Sequence, residues 1–88
     1  MRKIEFAVTA FRHGFQEEDF FELLSGRYIK IRSQRGIADV FELPGQNVAG
    51  DYIHIIYRVP TKEDVLRVFH MNQMTESQKR RFRQMIKK

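Results

Sequence analysis

His13, His54 and His70 are the only side chains of the chain whose ordinary pKa lies near neutrality, so they are its candidates for moving protons. Arginine presents a fixed, always-charged fork that fits phosphate, and a tyrosine ring can stack on a nucleobase. These types meet in the segment 52–72, which carries Tyr52, His54, Arg58, Arg67, His70 and Asn72. Other chemistries lack their parts. There is no cysteine, hence no thiolate nucleophile and no thiolate metal site. Two histidines on neighbouring strands make half a zinc site, but no well-spaced carboxylate completes it, so neither a metal nor a cofactor is expected. No P-loop, glycine-rich dinucleotide turn, serine-nucleophile motif or carboxylate pair is present.

The segment reads as a hairpin. Tyr52 to Val59 is rich in Ile, Tyr and Val, Pro60 to Asp64 is a polar loop, and Val65 to Met71 is the returning strand. Pairing Val59 with Val65 sets Arg58 opposite Leu66, Ile56 opposite Val68 and His54 opposite His70. Alternation then gives a core face of Ile53, Ile55, Tyr57, Val59, Val65, Phe69 and Met71, which also takes Arg67. The other face holds Tyr52, His54, Ile56, Arg58, Leu66, Val68, His70 and Asn72. That second face is the candidate site, although a wet face of this kind is also what any half-solvated antiparallel sheet carries. This register leaves Arg67 across the sheet from Arg58 and His70. Sheet twist, or a bulge near Lys62 to Asp64, would bring them together.

The remaining elements follow from local signals. Lys3 to Phe6 suits a short edge strand, and Val8 to His13 a short helix stopped by Gly14. Gln16 to Ser25 reads as a helix with early acids, an apolar group of Phe20, Phe21, Leu23 and Leu24, and a stop at Gly26. Tyr28, Ile29 and Ile31 begin a strand, Arg35-Gly36 is a turn, Ile37 to Leu43 is a strand, and Pro44 to Asn47 is a break. Thr75 to Gln78 fits a capping box before a basic helix running towards Lys88, with Phe82, Met85 and Ile86 on one face. The expected class is α+β. An antiparallel meander of three or four strands has the N-terminal helices and the C-terminal helix on a single face, since a chain this short is expected to cover only one.

The chain has 88 residues, room for one domain spanning 1–88. Its 16 Lys and Arg against 11 Asp and Glu give a net charge of +5, which suits a polyanionic or acidic partner or simply solubility. The charges are segregated. Acids crowd residues 16–25, while Lys79, Arg80, Arg81, Arg83, Lys87 and Lys88 crowd the C-terminal ten. No apolar stretch is long enough to span a bilayer, and no apolar segment follows Met1-Arg2-Lys3 as in a signal peptide. A cytoplasmic protein without a membrane partner is expected.

Two motifs carry a family resemblance. Phe11-Arg12-His13-Gly14-Phe15, followed by Glu17-Glu18-Asp19, resembles the Lys-His-Gly and acidic segment of the BrnT-like toxins. Arg67-Val68-Phe69-His70-Met71-Asn72-Gln73-Met74-Thr75, followed by Lys79-Arg80-Arg81-Phe82, is similar to that family's C-terminal segment. The two stand in the family's order, so the resemblance covers nearly the whole chain. It implies a small basic ribonuclease of a type II toxin–antitoxin system, with a RelE-like fold. It also implies RNA as substrate, a cognate antitoxin as partner, and a dimer or toxin–antitoxin hetero-oligomer as the assembly. The chain departs from the pattern at three places. Asn72 replaces an arginine often counted among the functional residues, Arg12 replaces a lysine, and the usual N-terminal Trp is missing, with Phe6 the candidate to fill its place.

Metal-free RNA cleavage by the adjacent 2′-OH needs a base at that hydroxyl, an acid at the leaving 5′-oxygen and cations around the phosphate. For that chemistry the catalytic candidates are Arg12, His13, Arg58, Arg67 and His70, and the RNA-binding ones are Tyr52, His54, Asn72, Lys79, Arg80 and Arg83. RelE-like toxins often work with Arg and Lys alone, so a histidine is not compulsory. Each residue also has a structural reading. His13 can cap the first helix, Arg67 can pair with Glu17 or Glu22, and the C-terminal cations can be a solvated face. The loss of an arginine at Asn72 also suits a non-catalytic nucleic-acid-binding or protein-interaction module on the same fold.

Overall fold

The computed structural model describes residues 3–32, 39–60 and 64–87. Its elements run β1 (Lys3–Phe6), a 3₁₀ turn (Val8–Phe11), α1 (Glu17–Ser25), β2 (Ile31–Arg32), β3 (Val40–Gln46), β4 (Tyr52–Arg58), β5 (Val65–Gln73) and α2 (Glu76–Ile86). The Arg35-Gly36 turn and Lys62 lie outside the described residues. No described helix is long and apolar enough to cross a membrane.

The class is α+β, but the sheet is larger than expected and mixed. It has five strands in the order β1-β5-β4-β3-β2. β2 to β5 pair antiparallel, each with its predecessor, while β1 adds to the outer edge of β5 in parallel, with Phe6 opposite Val68. A parallel neighbour needs a long crossover, and everything from the 3₁₀ turn to β4 supplies it.

Pro44 and Gly45 do not break the chain; both lie inside β3. The Pro44 carbonyl accepts from the Ile29 N–H at 3.0 Å, so the missing Pro44 N–H also faces the β2 side and costs the β4 ladder nothing. Gly45 is required by packing. A Cβ there would stand 2.6 Å from Leu23 Cγ and 2.9 Å from the Arg27 carbonyl. α1 therefore rests directly on the strand backbone at this point.

That contact puts α1 on the face of Gly45, Leu43, Ile53, Ile55, Val68 and Met71, which with Phe20, Leu23 and Tyr57 form the main core. Burying each large apolar side chain of this set contributes about 1.5–3 kcal/mol before entropy is counted. α1 starts where expected. The Gln16 N–H donates to Asp19 Oδ2 at 2.8 Å, and Glu17, Glu18 and Asp19 occupy the first turn, where the helix dipole favours acids.

α2 packs on the opposite face, against the expectation that both ends share one. Thr75 caps it by accepting from the Gln78 N–H at 3.1 Å, and Phe82, 1% exposed, packs edge to face with Tyr52. Tyr52 alternates with the core residue Ile53, so its face is the far one. The single-face argument failed because α2 need not cover the whole second face. Its 11 residues span about 16 Å, and they shelter only the Tyr52 and His54 end.

Replacing Gly45 by Ala forces its new methyl against the Arg27 carbonyl as well as the movable Leu23 side chain. The expected loss is about 1–3 kcal/mol in urea unfolding. An unchanged midpoint would mean that α1 does not sit on the sheet at this point.

Candidate active site

The open face of the sheet is organised in rows. Glu5, Arg67, Arg58 and Val40 stand side by side across β1, β5, β4 and β3. The next row is His70, Ile56 and Glu42, and the third is Asn72, His54 and Pro44. This differs from the expected pairing. His54 faces Asn72 and not His70, and Arg58 faces Arg67 and not Leu66.

The difference has one cause. The β4–β5 ladder shifts between Ile56 and Tyr57: Tyr57 pairs with Val68, but Ile56 pairs with His70, leaving Phe69 as an extra residue. In a regular strand Arg67 and His70, three apart, point to opposite faces. One extra residue restores the phase, so both reach the face of Arg58. A bulge does reconcile these residues, at Phe69; of the expected place near Lys62 to Asp64, only Asp64 lies within the described residues. Arg67 is therefore not on the core face.

The same bulge positions His13. The Ala7 N–H donates to the Val68 carbonyl at 2.8 Å, and the Thr9 hydroxyl donates to the Phe69 carbonyl at 2.8 Å. These bonds fasten the 3₁₀ turn to the edge of β5 beyond the end of β1. The turn ends at Arg12, and Gly14, at φ +87°, sends the chain on towards α1. His13 is then left with its ring centroid 5.8 Å from that of His70, edge to face. Its position beside His70 replaces the expected role as a helix cap, which falls to Arg12.

Two arginines directly opposite in a ladder repel. Here each has its own carboxylate. Arg58 Nε donates to Asp39 Oδ2 at 2.8 Å, and Arg67 Nη2 donates to Glu5 Oε1 at 3.0 Å. Glu5 is thus a partner of Arg67 that the sequence reading did not name. The hydrogen bond from Arg58 is the largest effect and holds the Asp39 carboxyl below its ordinary pKa; burial, the next largest, opposes it, and the Arg58 charge adds to the lowering.

His70 is half-buried, and its pKa is pushed below the ordinary imidazole value. Burial is the largest cause, followed by the positive charge that His54 and then His13 would carry. The neutral ring is thereby favoured. His54 itself is nearly covered by α2, with Nε2 2.8 Å from Glu42 Oε1; the carboxylate only accepts, so the ring N–H donates.

The predicted RNA-binding set divides. Tyr52 is not an open stacking platform, because its ring takes the edge of Phe82 and lies under Lys79 Nζ at 5.6 Å and the Arg83 guanidinium at 5.9 Å. Lys79 and Arg83 are gathered there as cation–π partners, while Arg80 is exposed on α2 and Arg12 is exposed beside His13. Among the described residues no three His, Cys, Asp or Glu side chains converge as metal ligands. Glu5, Asp39 and Glu42 were missed by sequence reasoning. Only the fold links them to Arg67, Arg58 and His54, and treating Pro44 as a break hid the pairing of Pro44 with His54 that sets Glu42 beside it.

The chain matches no protein-family model, and no curated protein matches it.

Because the His70 pKa is lower in the folded chain, the unfolded chain binds more protons in the window just below pH 6.5. His70 therefore withdraws stability as pH falls through that window. In NMR titration its ring should have a midpoint below 6.5, and His54→Gln should raise it. A His70 midpoint at or above the ordinary value would contradict its partly buried placement beside His13 and near His54.

Proposed function

We propose that this protein is a toxin of a type II toxin–antitoxin system, resembling the BrnT-like family and its RelE-like fold, and that it cleaves RNA without a metal. The observation that carries this reading is the approach of the His13 and His70 rings, 5.8 Å apart, on the face that also bears Arg58 and Arg67. A pair of imidazoles beside fixed positive charge can supply the base, the acid and the charge stabilisation that transesterification of an RNA phosphodiester needs.

In this reading a phosphate lies over the Arg58–Arg67 row. His70, whose neutral form is favoured, takes the proton of the 2′-OH as that oxygen attacks phosphorus. His13 gives a proton to the departing 5′-oxygen. The arginines balance the charge that builds on the phosphoryl oxygens, and Asp39 and Glu5 keep their guanidiniums on this face. Arg12, next to His13, adds positive charge at the rim. The basic side of α2, with Arg80 and Arg81, extends the path for the strand and is the surface we assign to a cognate antitoxin as well. The protein works in the cytoplasm, alone or as a dimer, until that partner joins it.

Asn72, facing His54, is the departure from the BrnT-like pattern that bears most on catalysis. It supports a second reading, a module of the same fold that binds nucleic acid without cutting it. A fluorogenic RNA assay separates the two. His70→Ala and Arg58→Ala should each lower cleavage about 10²-fold or more while melting stays near that of the parent. Asn72→Arg should raise it. Folded variants that all cleave like the parent would remove these residues from the mechanism, and a parent that binds RNA without cutting it would favour the second reading.

A further inference from the structure

α2 and the sheet form a cleft of ≈ 80 Å³ lined by Pro44, Phe82 and Met85 and by the polar groups of Glu42, His54, Gln78 and Arg81. The Gln78 side-chain oxygen accepts from the Thr75 N–H at the helix cap, which leaves its amino group as a further donor. It is far smaller than the ~300 Å³ or more of pockets that enclose a whole small molecule. What enters it is one planar edge of a ligand, with the remainder outside. Apolar walls with a carboxylate and a guanidinium fit the edge of a nucleobase.

The polar groups narrow the choice. A carboxylate can only accept hydrogen bonds, and a guanidinium can only donate them. His54 donates to Glu42 Oε1, which fixes the carboxylate; each oxygen carries two lone pairs, so both oxygens keep a site for the paired N–H groups of a ligand. Guanine offers adjacent N–H donors at N1 and N2 together with the O6 and N7 acceptors that arginine reads. Adenine and cytosine offer a carboxylate one amino group each, and uracil a single imino group.

The place is also suitable. Glu42 shares its row with Ile56 and His70, so it stands two strands from His70, about 10 Å by strand spacing. That is the scale of the reach from a base edge to the phosphate of the same nucleotide. We propose that this cleft recognises a guanine base of the RNA strand, with Glu42 and Arg81 as the reading groups, and so selects the nucleotide whose phosphate lies beside His70. The source of the guanine rests on the ribonuclease reading above; the pocket does not.

The test titrates isotope-labelled protein with 3′-GMP, 3′-AMP, 3′-CMP and 3′-UMP, following the amides of α2 and the His54 ring. 3′-GMP should bind about tenfold tighter than the others and shift residues lining the cleft. Glu42→Gln and, separately, the surface variant Arg81→Ala should abolish that preference with melting close to the parent's. Equal affinities, or shifts away from the cleft, would overturn the proposal. A second arm compares cleavage of RNA containing guanosine with the same RNA containing inosine, which lacks the N2 amino group. Weaker cleavage at the inosine positions supports recognition within the strand. Guanine binding together with indifference to inosine would overturn that assignment in favour of a free nucleotide. Guanine binding with no RNA cleavage at all would sustain the pocket and defeat the ribonuclease reading alone.

Discussion

β5 holds one residue more than its ladder with β4 can pair, and the arrangement of the open face follows from where that residue sits. Phe69 is unpaired between Val68 and His70. On its N-terminal side the bulge leaves Arg67 in phase with Arg58, and on its C-terminal side it leaves His70 in phase with Ile56. The displaced strand also turns the Phe69 carbonyl outward to an edge that β1 no longer covers. Thr9 satisfies that carbonyl, and the 3₁₀ turn so anchored delivers His13. A local irregularity in one ladder thus gathers side chains from three separate parts of the chain.

The two faces of the sheet then do different work. One is closed by α1, whose Leu23 reaches the bare backbone of Gly45, and it holds the main apolar core. The other is divided along its length. α2 closes the Tyr52 end with Phe82 and with Lys79 and Arg83 over the tyrosine ring, while the Arg58–Arg67 end stays open. The cleft with Glu42 and His54 lies under α2, on the closed half. Paired cations on the open half persist because Asp39 and Glu5 flank them, and the partly shielded His70 is biased towards its neutral form. Charge and desolvation on this face follow from the same row geometry.

Much of this was legible in the sequence where the signal is local. The extent of β1, the Thr75 cap, the left-handed Gly14 and the alternation of Ile53, Ile55 and Tyr57 are written in neighbouring residues, although the turn before Gly14 is 3₁₀ and spans only Val8–Phe11, short of the expected His13. His70, His13 and Arg58 were chosen for their chemistry and stand on one face or at its edge. What failed depends on partners far away in the chain. Pro44-Gly45 has the composition of a turn, and only the helix resting on Gly45 and the β2-side placement of the Pro44 nitrogen make it a strand. Phe69 is apolar on either register, so alternation alone did not reveal the bulge. Tyr52 looked available because nothing local shows that Phe82, thirty residues later, will cover it.

The central claim is that His13 and His70 act on a phosphate held by arginines, with the 2′-OH as the nucleophile. The most direct measurement is of the fragment ends left on a short RNA incubated with the protein in excess EDTA, alongside the same RNA carrying 2′-deoxyribose at the cleaved position. The account predicts undiminished cleavage in EDTA, upstream fragments ending in 2′,3′-cyclic phosphate, and no cleavage at the deoxy position. Fragments ending in a 3′-hydroxyl, or cleavage that proceeds through the deoxy position, would contradict it.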